Sequence, residues 1–109
     1  MIDCGSLMKS DKTTPLVTEG RLPLGKMLHA LANSIRWRIL QELERRPRLN
    51  VELSEQMGDS QSALSSHLRV LREAGMVVRA RSGLYSIPPE YRVEQGVLDY
   101  GHFVLRVGK

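Results

Sequence analysis

From Pro23 to about Gly75 apolar residues recur at helical spacing, and beyond that the pattern changes to a strand-like rhythm. After Pro23, the spacing of Leu24, Met27, Leu28 and Leu31 predicts a first helix; a second follows Ser34, with Ile39, Leu40 and Leu43 inward, and closes at Pro47. Leu53 and Met57 lie four apart on a short third helix that Gly58 can end in the left-handed conformation. Ser60 is a good cap for a fourth helix, where Leu64, Leu68 and Leu71 form an i, i+4, i+7 stripe widened by Ala63, His67, Val70 and Ala74. Glu73-Ala74-Gly75 stops that helix. Two β-prone runs then flank Ser82-Gly83 between Met76 and Ile87, predicting a hairpin.

The face of the fourth helix opposite its apolar stripe carries Gln61, Ser62, Ser65, Ser66, Arg69 and Arg72. These side chains suit the edges of DNA bases. Gln makes a bidentate contact with adenine, Ser donates or accepts at several bases, and Arg pairs with guanine or phosphate. Ser60 and the serines behind it leave room for close approach, and the free N–H groups and dipole of the helix start favour a phosphate oxygen. In the hairpin, Arg79 and Arg81 alternate with Val78 and Ala80, which predicts both guanidinium groups on one side of a strand. A helix-turn-helix followed by a basic hairpin is a winged helix.

Residues Leu31–Leu40, Glu52–Glu55 and Ser60–Val77, the last reading SQSALSSHLRVLREAGMV, resemble the arsenic-repressor (ArsR/SmtB) type of bacterial transcriptional regulator. The match runs in order from about Leu24 to Pro89, with one small length difference near Asn50, and is most specific around the fourth helix. The resemblance implies a homodimeric winged helix that represses a promoter by binding a double-stranded DNA operator and is released by a signal the sequence does not name; two recognition helices related by a dyad then predict an imperfect palindrome. The expected fold is mainly α with a small β-hairpin wing (α+β), extended by a C-terminal strand. Residues 1–20 are expected to form a flexible arm, 21–90 the winged-helix DNA-binding domain, and 91–109 a tail packed on the domain or a dimer interface.

The tail is where the chain departs from the family, whose members usually finish with a long helix that pairs with its mate. After Pro88-Pro89, Phe103, Leu105 and Val107 alternate with Val104 and Arg106, a period of two that predicts a strand or extended hairpin. Such a strand could join the wing sheet or cross to a second subunit. The first helix and this tail are therefore the candidate interfaces.

Metal sensing is the family's best-known role, so the ligands matter. Thiolate sites on the first helix of the motif need paired cysteines, and Arg48-Leu49-Asn50-Val51-Glu52 has none. A C-terminal site would have only Asp99 and His102 in each subunit, separated by Gly101. No metal and no cofactor is expected. His67 reads as a packed, hydrogen-bonded histidine, His29 as a surface residue, Trp37 as ordinary packing, and Cys4 as an inert thiol.

With 109 residues, 16 Lys+Arg against 12 Asp+Glu and a net charge of +4, the chain suits one small domain drawn to polyanions. It has no signal-peptide core and no apolar run able to span a membrane, and a single cysteine excludes an intramolecular disulfide, so a bacterial cytoplasm is expected. Ser65-Ser66-His67 is adjacency in a helix, not a triad, and no other catalytic constellation emerges, so an enzyme is not expected. Two other readings of the scaffold stay open: a winged helix that binds a protein partner, and a small-molecule or redox-sensing repressor. DNA affinity that falls steeply with salt separates the first of these from DNA binding.

Overall fold

The computed structural model describes residues 22–108. The predicted arm and Cys4 lie outside them. Four helices come first, α1 (Leu24–Leu31), α2 (Ser34–Arg45), α3 (Asn50–Met57) and α4 (Gln61–Glu73), followed by the antiparallel hairpin β1 (Val78–Arg79) and β2 (Tyr85–Ser86). A short 3-10 turn (Pro89–Tyr91) then leads into β3 (Arg92–Glu94), β4 (Val97–Asp99) and β5 (Val104–Arg106). This is a winged helix-turn-helix of α+β type.

The core is built where the apolar stripes converge. Met27 and Ala30 of α1, Ile39, Leu40 and Leu43 of α2, Leu53 of α3, and Leu64, Leu68 and Leu71 of α4 are buried together. Truncating one such Leu or Ile to Ala typically costs about 2–5 kcal/mol, because removed contacts and an unfilled cavity add. Not every helical-period residue is inside. Leu24 and Leu28 are exposed on α1, and Ala63 is exposed on α4, so the inward stripes are narrower than the spacing predicts. Trp37 is half-buried against the core.

Caps set the helix ends. Asn33, rather than Ser34, opens α2: its Oδ1 accepts from the N–H groups of Ile35 at 2.9 Å and Arg36 at 3.2 Å. The buried Arg36 then turns back, donating from Nε to the Ala30 carbonyl at 2.9 Å and from Nη2 to the His29 carbonyl at 3.4 Å. A cation on the last carbonyls of α1 satisfies orphan acceptors and opposes the helix dipole. At the end of α4, Met76 N–H donates to Leu71 O at 3.0 Å and Gly75 N–H to Arg72 O at 2.9 Å, a Schellman closure. Gly75 has φ +79, a conformation that strains any L side chain, and a Cβ there would also displace the tip of Leu22, whose Cδ2 would lie 2.7 Å away.

The tail differs from the single strand or hairpin expected of it. It is a three-stranded antiparallel meander in the order β3-β4-β5, with Val97 opposite Arg106, Leu98 opposite Leu105 and Asp99 opposite Val104. It pairs with itself and forms no ladder with the wing. The alternation does appear: Val107 is buried, Phe103 and Leu105 are half-buried, and Val104 and Arg106 face out. Leu98 and Tyr100 plug into the core.

Buried charge on α2 fastens the tail. Glu44, only 5% exposed, accepts at Oε2 from the Gly96 N–H at 2.7 Å, while Arg92 donates to the Glu44 carbonyl at 2.6 Å. Gln41 Nε2 adds a bond to the Val107 carbonyl at 3.2 Å. Periodicity cannot reveal such roles, because these residues are polar by type and inward by geometry.

Candidate nucleic-acid interface

The turn between α3 and α4 is short because both of its ends are fixed. Gly58 takes the left-handed conformation at φ 79, its N–H donates to Ser54 O at 2.9 Å, and Ser54 Oγ donates to Asp59 O at 2.6 Å. Ser60 then caps α4, its Oγ accepting from Ala63 N–H at 3.2 Å. At the start of α3, Glu52 Oε1 accepts from the Leu49 N–H at 2.8 Å; that bond, with Arg46 close by, holds the carboxyl below its ordinary pKa.

Across this turn, α4 presents one polar face. Ser60, Gln61, Ser62, Ser65, Ser66, Arg69 and Arg72 are all exposed, opposite the fully buried Leu64, Leu68 and Leu71. His67 is half-buried at the margin, without the predicted hydrogen bond among the described residues. Asn50, which sequence reasoning misses, reaches from the first turn of α3 and donates through Nδ2 to Gln61 O at 3.1 Å and to Ser65 Oγ at 2.9 Å. No spacing signals such a residue; an Asn at a helix start has the look of a cap.

The wing follows α4 in the chain, and its second strand packs on α2. Arg79 pairs with Tyr85 across the hairpin, its guanidinium 5.8 Å from the ring centroid, within cation–π range. Arg81 is not on the strand with it. Ala80 N–H bonds to Leu84 O at 2.8 Å and Gly83 N–H to Ala80 O at 2.9 Å, so the loop is Arg81-Ser82-Gly83 and Arg81 sits at its tip side. A three-residue loop, rather than a two-residue turn at Ser82-Gly83, ends the alternation one residue early. Both arginines are exposed.

On the other side of β2, Arg48 exchanges backbone bonds with Tyr85 at 3.0 and 2.7 Å, and its side chain forms a buried ion pair with Glu42 at 3.1 Å. The wing is thereby tied to α2. Asp99 Oδ1 accepts from Gly101 N–H at 2.9 Å, the His102 Nε2 lies 2.7 Å from the Leu22 carbonyl and must carry its proton there, and among the described residues no three potential ligands converge.

A capped helix with a polar outer face, entered through a short fixed turn and followed in the chain by a basic hairpin, defines the winged helix-turn-helix class. The family described as bacterial regulatory protein, arsR family, matches residues 33–78. The HTH-type transcriptional regulator NmtR of Mycobacterium tuberculosis is 39% identical over 71 residues, 65% of this chain and 59% of that protein. The chain thus spans less than two-thirds of the length of that relative. HlyU from Vibrio cholerae has a solved structure that superposes with a TM-score of 0.53 at 37% identity, covering 59% of this chain and 73% of that one. The chain belongs to the arsR family of bacterial regulatory proteins.

Proposed function

We propose that the protein is a sequence-specific DNA-binding transcriptional regulator that acts as a homodimeric repressor on an imperfectly palindromic operator. The observation that carries this is the uninterrupted exposed face of α4 from Ser60 to Arg72, backed by a fully buried leucine stripe. Gln61, Ser62, Ser65 and Ser66 read base edges in the major groove, with the capped helix start at Ser60 set against a phosphate. Arg69 and Arg72 contact phosphate or guanine, and Arg79 and Arg81 hold the flanking backbone from the wing. Membership of a family of regulators supports the assignment, as does the regulatory title of NmtR.

A second copy is supported by Leu24 at 41% and Leu28 at 53% exposure on α1, apolar side chains that the described residues leave uncovered. Two recognition helices related by a dyad would enter successive major grooves about 34–36 Å apart. No helix among the described residues is long and apolar enough to cross a membrane, in keeping with a cytoplasmic regulator. No catalytic step and no cofactor enters this reading. Titration of duplex DNA at several salt concentrations tests it: binding that weakens as salt rises, with a preferred sequence surviving competitor DNA, is expected, and salt-independent or absent binding would overturn it.

A further inference from the structure

We propose that Asn50 is a specificity-determining residue of the α4 face: it fixes the Ser65 hydroxyl as a donor, so that Ser65 selects a base carrying an acceptor at the groove edge. This rests on the reading of α4 as the base-contacting helix.

The orientation of the Asn50 amide follows from its neighbours. The atom 3.1 Å from Gln61 O faces a carbonyl oxygen, so it must be the nitrogen; an oxygen there would set lone pair against lone pair. The same Nδ2 donates to Ser65 Oγ at 2.9 Å, which occupies one lone pair of that hydroxyl. A serine in a helix otherwise donates back to the carbonyl four residues earlier. For Ser65 that carbonyl is Gln61 O, already taken by the helical N–H of Ser65 and by Asn50. With the inward acceptor filled, the Ser65 hydrogen points outward. Asn50 Oδ1 is buried with no hydrogen-bond partner among the described residues, so the amide is held in place for what its nitrogen does. In the major groove the acceptors are guanine N7 and O6, adenine N7 and thymine O4, whereas the amino groups of cytosine and adenine are donors.

The test is binding-site selection from random duplex DNA with the full chain, followed by titration of the selected site and its single-base variants. Ser65→Ala and Asn50→Ala are each expected to lose about three- to tenfold discrimination at one and the same base pair, the scale of one hydrogen bond. The double variant is expected to lose no more than either single one, because the two residues act as a unit. Asn50→Asp keeps the side chain's shape but presents only acceptors, so it gives the same loss and guards against a folding defect in Asn50→Ala, which thermal melting would reveal. Discrimination unchanged in Asn50→Asp and Asn50→Ala, losses at different base pairs, or a uniform loss across all sequences would each overturn the proposal while leaving DNA recognition by α4 standing. Failure of the unmodified chain to prefer any sequence would instead overturn the functional reading beneath it.

Discussion

The hydroxyl of Tyr100 donates to the carbonyl of Met76 across 3.0 Å, joining the tail sheet to the residue that closes α4. Tyr100 is buried, and its ring lies 5.0 Å from that of Tyr91. Burial, with Tyr91 adding to it, pushes the phenol well above its ordinary pKa. The folded state therefore holds the proton more tightly than the unfolded chain. The stabilisation is complete below the ordinary tyrosine value of 10.0 and is lost as pH rises from there toward the higher folded value. Tyr100→Phe should lower stability by about 1 kcal/mol at neutral pH and should remove this alkaline decline. Urea unfolding of both proteins across the alkaline range checks it; parallel curves would exclude a buried, protonated Tyr100.

The Glu42–Arg48 pair gives a second prediction, because both side chains are almost wholly buried. Arg48→Ala should cost about 3–5 kcal/mol, chiefly by leaving the Glu42 carboxylate unpaired in the interior. Replacing both residues by Met should recover most of that loss. If Arg48→Ala costs no more than an exposed arginine does, the pair is not what ties the wing to α2.

Leu28 tests the second copy. Leu28→Asp changes an exposed side chain, so monomer stability should shift by no more than about 0.5 kcal/mol. Sedimentation should nevertheless show a move toward monomer mass, with weaker binding to a two-half-site operator. An unchanged mass would take α1 out of the interface.

Base reading and backbone holding should separate on mutation. Gln61→Ala should relax preference at one base pair by about 1–3 kcal/mol if the contact is bidentate. Arg79→Ala should instead weaken all sequences alike and reduce the slope of log affinity against log salt by about 0.9 for each phosphate it leaves without a cation. A position-specific effect of Arg79→Ala would place the wing in the base-reading set.

The helices and the motif are legible because their signals are local. Ser60 before a polar-faced stripe, Gly58 after Met57, and Gly75 after Ala74 each state a cap in the sequence, and each is found. The tail is legible only as strand. Gly96 and Gly101, five apart and both at positive φ, mark the turns that fold it into three strands, a signal that alternation alone does not capture. Arg36, Glu42, Glu44, Arg48 and Asn50 are not legible at all. Their partners are carbonyls, amides or charges brought close by packing, which no periodicity along one chain encodes.

Sequence selection by the polar face of α4 is put to trial by site selection with the Gln61→Ala, Ser65→Ala, Ser66→Ala triple variant. The unmodified chain should enrich an imperfect palindrome with half-sites about one helical turn apart, and the triple variant should bind DNA with a similar salt dependence but without that enrichment. Enrichment of the same site by the triple variant would mean that base reading lies outside this face of α4.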